Sequence, residues 1–141
     1  MTSPDATVYP YRQRIDTRWS DNDIYGHVNN AVYYQYFDSV INALLIRDGG
    51  LDIHAGGVVG FMVRTECDFL RPVSYPSPLE VGLRVDKLGN SSVSYGVALF
   101  VAGDPEPCAR GRMVHVFVDT ASSRPVPIPD GIRAVLKRLA S

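Results

Sequence analysis

The segment from Trp19 to Asn30 carries the densest group of chemically active side chains in the sequence. Two carboxylates, a histidine and three amides lie between Asp21 and Asn30, directly before a stretch whose apolar residues have helical spacing. A turn needs a glycine or an asparagine, but not this many titratable groups. Helix N-termini present free backbone N–H groups and a partial positive charge, which stabilise an oxygen that gains negative charge. A carboxylate just ahead of such a terminus is therefore a candidate base or nucleophile.

The same segment also has some of the residue types of a metal site. Asp21, Asp23 and His27 are close in sequence, but hydrolytic metal sites usually have three or more convergent ligands in which histidine is strongly represented. The other histidines, His54 and His115, lie in a glycine-rich loop and in a predicted strand, with no ligand spacing. We expect no metal and no redox cofactor.

Composition limits the class of protein. The chain has 141 residues, of which 45% are apolar and 21% charged, as in an ordinary globular domain. A net charge of −1 argues against a nucleic-acid partner. The first ten residues lack the pattern of a signal peptide, and no apolar run reaches the roughly 20 residues of a membrane span. The two cysteines, Cys67 and Cys108, do not form a metal or redox motif. The expectation is a cytoplasmic protein without a membrane partner.

The elements that position the segment follow from hydrophobic periodicity. Residues 1–8 are predicted to be a disordered lead, and residues 9–141 a single domain. Alternation predicts a strand from Tyr9 to Trp19, and the helix that follows is expected to begin at Asn29 or Asn30 and to end at Gly49-Gly50. Four more strands are predicted over residues 59–69, 79–86, 93–101 and 108–118, and a short helix over residues 129–139. In the first of these, Phe61, Val63 and Cys67 are expected on the apolar face.

This order of elements predicts the architecture. Short turns between the last four strands favour antiparallel pairing, so one long helix should pack against a five-stranded antiparallel sheet in an α+β arrangement. One helix cannot cover both faces of the sheet, and the edge strands would be left unpaired. We therefore expect a homo-oligomer, either a homodimer or a homotetramer.

The motif and this strand order together resemble the hotdog-fold acyl-CoA thioesterases, in particular the 4-hydroxybenzoyl-CoA thioesterase-like family. The resemblance rests first on Arg18-Trp19-Ser20-Asp21-Asn22-Asp23 and Gly26-His27-Val28-Asn29-Asn30-Ala31-Val32-Tyr33, which stand where that family has its Asp-containing loop and helix start. Residues 111–118 and 124–129 are similar to the last strand and exit of the family. The resemblance covers most of residues 9–139. It implies a hotdog fold, in which a five-stranded antiparallel sheet wraps around one long central helix, here with a short C-terminal helix.

The resemblance also assigns roles. The catalytic carboxylate of the family maps onto Asp23, which would act as a general base or as a nucleophile. Backbone N–H groups near Asn29, Asn30 and Ala31 would polarise the thioester carbonyl. The stretch is also similar to the second repeat of plant acyl-carrier-protein thioesterases, where a histidine aligned with His27 takes part in catalysis. Those enzymes have an asparagine where this chain has Tyr25, which departs from their Asp/Asn/His network.

The remaining candidates would bind substrate. Gly26 would allow a positive φ or a close approach of ligand, Tyr33 lies in the first helical turn where an acyl or aryl group would bind, and Arg71 would meet the phosphates of CoA. The predicted function is therefore hydrolysis of an acyl-CoA or acyl-carrier-protein thioester to a free acid and a thiol. The alternatives are a non-catalytic module that binds acyl thioesters and another hotdog enzyme such as a dehydratase. In the family the pocket lies between subunits.

Overall fold

The computed structural model describes residues 9–140. The predicted lead, residues 1–8, lies outside that range. The elements, in chain order, are β1 (Tyr11–Asp16), a single 3₁₀ turn (Trp19–Asp21), α1 (Asn30–Arg47), β2 (Val58–Phe69), β3 (Pro78–Leu88), β4 (Ser92–Val101), β5 (Ala109–Asp119) and α2 (Asp130–Leu139).

The five strands form one antiparallel sheet in the order β1-β3-β4-β5-β2. β3, β4 and β5 follow one another through short turns and pair as neighbours, as short connections favour. β1 and β2 instead lie at the two edges: α1 and its loops come between them in the chain, β1 pairs with β3, and β2 pairs with β5. The predicted hotdog fold, with one long helix against a five-stranded antiparallel sheet, is confirmed.

The core lies between α1 and the inner face of the sheet. α1 has a broad buried stripe at helical spacing, and the inward residues of β3, β4 and β5 complete the same apolar cluster. Each large apolar side chain fully buried there contributes about 1.5–3 kcal/mol of transfer free energy. The buried residues of α1 are Tyr33, Tyr36, Phe37, Val40, Ile41, Leu44 and Leu45. This packing holds the helix, and therefore its N-terminus, at a constant position on the sheet.

The prediction for the inward face of β2 is wrong in its first half. Phe61 and Val63 are 45% and 58% exposed, whereas Val58 and Met62 pack against the core. The pairing of β2 with β5 shifts by one residue between Met62 and Arg64. An extra residue in a strand exchanges its two faces, so simple alternation fails across this bulge. Beyond the bulge, Cys67 lies on the core side as predicted.

The first strand is also shorter than predicted. Pairing of β1 with β3 ends at Asp16, and the chain turns into the 3₁₀ turn that contains Trp19. The Asp21 side chain accepts a hydrogen bond from the backbone N–H of Arg18, which stabilises this turn in place of further strand. Trp19 is consequently exposed, with its ring edge-on to Tyr75. Across residues 9–140, no helix is both long and apolar enough to cross a lipid bilayer.

Candidate active site

Asn29 begins the helix that carries the site. Its backbone is extended, and its side-chain Oδ1 accepts a hydrogen bond of 2.9 Å from the N–H of Ala31, as an N-cap residue does. The N–H of Val32 donates to the carbonyl of Asn29. Among the first three N–H groups of α1, only that of Asn30 has no hydrogen-bond partner within the described part of the chain. This N–H can therefore donate to a bound oxygen.

Asp23 lies directly beside this helix start. One oxygen, Oδ2, accepts a hydrogen bond of 3.2 Å from the amide of Asn29, and the other, Oδ1, accepts one of 2.9 Å from the N–H of Tyr25. A carboxylate has about four lone-pair sites, so both oxygens can still accept a further hydrogen bond. Asn29 thus joins the carboxylate of Asp23 to the helix N-terminus through a single side chain. The carboxylate is oriented by two contacts and keeps the capacity to bind water or substrate.

The loop around Asp23 is held by backbone contacts. The N–H of Asp23 donates to the carbonyl of His27, and the N–H of Gly26 donates to the carbonyl of Asp23. Gly26 has φ = 81°. A Cβ atom added there would contact nothing within 4 Å, so the positive φ, and not a close approach within the chain, favours glycine. Ser74 donates its hydroxyl to the carbonyl of Gly26, which ties the loop to the segment before β3.

Asp21 supports the loop from below. Its side chain is 1% exposed and accepts hydrogen bonds from the backbone N–H and the guanidinium of Arg18 and from the hydroxyl of Tyr36, the last at 2.6 Å. Burial alone would raise the pKa of this carboxyl, but the hydrogen bonds from Tyr36 and Arg18 and the charge of Arg18 outweigh it and lower the pKa below its ordinary value. Asp21 is therefore an ionised, fully bonded structural carboxylate, in contrast with Asp23.

Tyr36 makes a contact to the Asp23 loop that hydrophobic periodicity does not predict. Its ring is buried in the apolar stripe of α1. Its hydroxyl nevertheless reaches the Asp21 carboxylate, and burial together with this contact raises the pKa of Tyr36. A tyrosine rather than a phenylalanine at a buried helical position signals a hydrogen-bond partner, since a buried hydroxyl is costly without one. That signal was present in the sequence.

A surface cavity of about 530 Å³ lies next to Asp23, between the start of α1 and the end of β2. Of the residues predicted for the site, Asp23, His27, Asn29, Asn30, Tyr33 and Arg71 line this cavity, whereas Gly26 and Ala31 do not. The structure therefore brings most of the predicted residues together. The lining also includes residues that sequence analysis had not assigned to the site, namely Tyr25, Val28, Phe69, Leu70 and Pro72.

His27 is exposed on the rim of this cavity. Within residues 9–140 the ring of His27 makes no hydrogen bond. Only its backbone carbonyl contacts Asp23, by accepting a hydrogen bond from the backbone N–H of that residue. The imidazole is thus available to a bound molecule and is not held by Asp23. In the same part of the chain, no group of three or more His, Cys, Asp and Glu side chains is arranged to hold a metal ion.

The wall opposite the loop is aromatic and basic. The ring of Tyr33 lies edge-on to that of Phe69, with a distance of 5.0 Å between centroids. Arg71 follows β2 and donates a hydrogen bond of 2.8 Å to the carbonyl of Glu106, and it lies 3.4 Å from the carboxylate of Asp104. Arg71 therefore also holds the β4–β5 turn, and its charge is partly neutralised by Asp104 before any substrate binds.

One family model matches most of this chain. Residues 17–136 match the thioesterase-like superfamily. Among solved structures, the PA5185 protein of Pseudomonas aeruginosa strain PAO1 is 56% identical, with a TM-score of 0.93 over 94% of this chain and 93% of that chain. The PA2801 protein of Pseudomonas aeruginosa is 32% identical, with a TM-score of 0.84 over 91% and 98% of the two chains.

A third relative was solved with a ligand. The thioesterase of Thermus thermophilus, in complex with coenzyme A and zinc, is 33% identical, with a TM-score of 0.76 over 92% of this chain and 98% of that chain. The match to the family spans residues 17–136, which is most of the sequence and includes the loop, the helix and all strands after β1. The chain therefore belongs to the thioesterase-like superfamily.

Proposed function

We propose that this protein hydrolyses an acyl-CoA thioester to a free acid and coenzyme A. The observation that carries the proposal is the joint placement of an oriented carboxylate, Asp23, and a helix N-terminus with a free N–H, Asn30, at one cavity. The relative from Thermus thermophilus, solved with coenzyme A, supports CoA as the thiol part of the substrate.

In this proposal, the thioester carbonyl oxygen accepts a hydrogen bond from the backbone N–H of Asn30. The dipole of α1 stabilises the negative charge that develops on this oxygen. As a general base, Asp23 takes a proton from a water that attacks the carbonyl carbon, the C–S bond breaks, and Asp23 returns the proton to the departing thiolate. As a nucleophile, an oxygen of Asp23 attacks that carbon and displaces the thiolate. Water then cleaves the resulting mixed anhydride to give the acid and restore Asp23. Both routes use the same geometry and need no metal.

The proposal is tested by measuring release of free thiol from a panel of thioesters. The panel contains acyl-CoAs of short, long and aromatic acyl groups, together with the same acyl groups on acyl-carrier protein and on a short pantetheine analogue. We expect turnover of at least one CoA thioester. Turnover of carrier-protein thioesters alone would replace CoA as the substrate, and saturable binding of thioesters without any release of thiol would identify a binding module instead.

His27 is proposed to assist through the substrate or a water, and not through Asp23, because its ring is free of hydrogen bonds within the described residues and lies at the same cavity. A neutral hydrogen bond contributes about 1 kcal/mol, so His27→Ala is expected to lower kcat by less than about tenfold. Steady-state kinetics of the folded variant measure this. A fall as large as that of an Asp23 variant would instead place His27 in the proton transfer itself.

We also propose that β2 pairs with the same strand of a second copy. β2 is an edge strand, and its exposed Phe61 and Val63 form an apolar surface beside unpaired backbone groups, the combination that favours strand pairing. Antiparallel pairing about a twofold axis would cover both residues and extend the sheet. The predicted homodimer, alone or as half of a tetramer, would then be built on this edge.

The double variant Phe61→Arg/Val63→Arg is expected to be monomeric, because four arginines would meet across the twofold axis in place of apolar contacts. Size-exclusion chromatography with light scattering should give a mass close to the 15.5 kDa of one chain. Ile53→Arg is the matched control, since Ile53 is an exposed apolar residue on a loop outside the strand. An unchanged mass for the double variant would exclude this edge as the interface.

A further inference from the structure

A closed ring of hydrogen bonds connects the catalytic loop to α1 at two separate points. At the first point, Asn29 caps the helix and binds the carboxylate of Asp23. At the second, about two turns further along α1, the hydroxyl of Tyr36 donates to Oδ2 of Asp21 at 2.6 Å. The two points are joined because the backbone N–H of Asn29 donates to the carbonyl of Asp21 at 3.0 Å. The ring therefore runs from Tyr36 through Asp21 and Asn29 back into the helix.

We propose that Tyr36 and Asp21 are positioning residues, which set the distance between the carboxylate of Asp23 and the N–H of Asn30 through Asn29. The inference rests on the proposed function, because that function requires the carboxylate and the N–H to act on one thioester. Asp21 is not among the residues that line the cavity, so it acts only through the groups it holds.

The chemistry of the ring explains why it can hold an exposed loop in place. Asn29 and Asn30 are exposed and Asp23 is half-buried, so the hydrogen bonds of these residues compete with water. The carboxylate of Asp21 is instead buried, so its bond from Tyr36 is shielded from water, while its bonds from Arg18 are part-buried. All of them are charge-assisted, and such bonds are roughly twice as strong as neutral ones. Arg18 supplies the compensating charge through its guanidinium, at 2.9 Å and 3.1 Å from Oδ1 of Asp21. The hydrogen bonds that hold the loop in place are therefore those of Asp21, beneath the loop, whereas the proposed reactive carboxylate, Asp23, lies on the loop itself.

The sharpest test removes one oxygen atom. Tyr36→Phe keeps the buried ring and loses only the donor to Asp21, and a displacement of the order of 1 Å at a catalytic group costs about a hundredfold in rate. We expect kcat to fall by about ten- to a hundredfold while KM changes by less than about twofold, because the lost contact acts on the transition state and not on binding. Asp21→Asn is expected to behave in the same way.

The matched control is Tyr95→Phe. Tyr95 is also a buried tyrosine whose hydroxyl makes a hydrogen bond, at 3.0 Å to Nδ1 of His115, but it does not line the cavity. Both variants lose one buried hydroxyl, so a general loss of stability would affect both. If kcat falls equally in the two variants, or if Tyr36→Phe raises KM without lowering kcat, the positioning role is excluded.

Two further measurements test the positioning role of Tyr36 and Asp21 in ways that do not depend on protein stability or on the identity of the substrate. The double variant Tyr36→Phe/Asp21→Asn should lower kcat no more than the stronger single variant, because both changes break the same ring. Full additivity of the two effects on kcat would contradict a shared ring.

In the Tyr36→Phe protein, amide hydrogen exchange should become faster at Asn29 and Tyr25, whose N–H groups donate to the carbonyl of Asp21 and the carboxylate of Asp23. If exchange at both amides is unchanged, the positioning role is excluded, and this result does not depend on any thioester being hydrolysed. If exchange becomes faster as expected but the wild-type protein hydrolyses no thioester, only the proposed function is refuted.

Discussion

Replacement of Asp23 by asparagine is expected to lower kcat for thioester hydrolysis by about a hundred- to ten-thousand-fold, the range that positioned acid–base groups contribute. Asparagine has nearly the same shape, and its amide oxygen can still accept a hydrogen bond from the N–H of Tyr25, although the bond from the Asn29 amide to Oδ2 is lost. The backbone hydrogen bonds between residue 23 and residues 26 and 27 do not depend on the side chain, so the loop should keep its conformation. The amide, however, can neither take a proton from water nor attack a carbonyl carbon. The measurement is the rate of thiol release under saturating substrate, with folding checked by circular dichroism.

The chain offers a matched control for this change. Asp119, the last residue of β5, also has a carboxylate that accepts hydrogen bonds from backbone N–H groups, those of Ala121 and Ser122, but it does not line the cavity. Asp119→Asn should therefore leave kcat unchanged. An Asp23→Asn protein with normal kcat and intact fold would remove this residue from the mechanism. In a single turnover in oxygen-labelled water, label in the Asp23 side chain would identify the nucleophilic route, because it enters there only if a mixed anhydride forms and water attacks at the Asp23 carboxyl carbon.

The second large effect is expected on stability. His115 lies on β5, is 1% exposed and faces the core, where Nδ1 is 3.0 Å from the hydroxyl of Tyr95. Burial disfavours the charged imidazolium and lowers the pKa of His115 from 6.5 to about 4. At neutral pH both the folded and the unfolded chain have a neutral imidazole, so nothing is lost. As the pH falls from about 6.5 to about 4, the unfolded chain binds the proton first, and the native state loses about 3 kcal/mol of stability.

Denaturant unfolding at several pH values between about 4 and 7.5 measures this loss. Because other groups also titrate in this range, the quantity to compare is the difference between the wild type and His115→Gln. Glutamine does not titrate and can still form a hydrogen bond with the hydroxyl of Tyr95, as donor or as acceptor. We expect the free energy of unfolding of the wild type to fall by about 3 kcal/mol more than that of the variant over this range. Parallel curves for the two proteins would show that His115 is protonated without cost in the folded state.

The two outcomes concern different parts of one chain, and the sequence was informative about them to different degrees. The Asp23 loop was recognisable because its polar residues lie consecutively in the chain, so their proximity needs no folding. His115 was assigned only to a strand, because the groups around its ring are Tyr95 of β4, Phe117 of β5 and the backbone of Gly60 in β2. The lowered pKa of His115 depends on the burial of its ring, which no single segment of the sequence specifies.

The same distinction applies to the fold. Periodicity predicted the five strands, the long helix and its asparagine cap, because these depend on contacts between residues a few positions apart. It failed at the bulge after Met62 and at Trp19. At Met62 one additional residue exchanges the two faces of β2, and at Trp19 the contacts between Arg18 and Asp21 turn the chain out of the strand. Such local exceptions have no periodic signal.

By itself, the sequence determined the identity of the candidate catalytic segment, its place before a helix, and an antiparallel sheet joined by short turns. Only the tertiary structure decided that the two carboxylates have opposite environments, with Asp21 buried against Tyr36 and Asp23 open to a cavity. The physical reason is that Asp21 and Asp23 are chemically identical and two residues apart. What distinguishes them is a tertiary contact: Asp21 binds the hydroxyl of Tyr36, a helix residue fifteen positions further along the chain, and Asp23 does not.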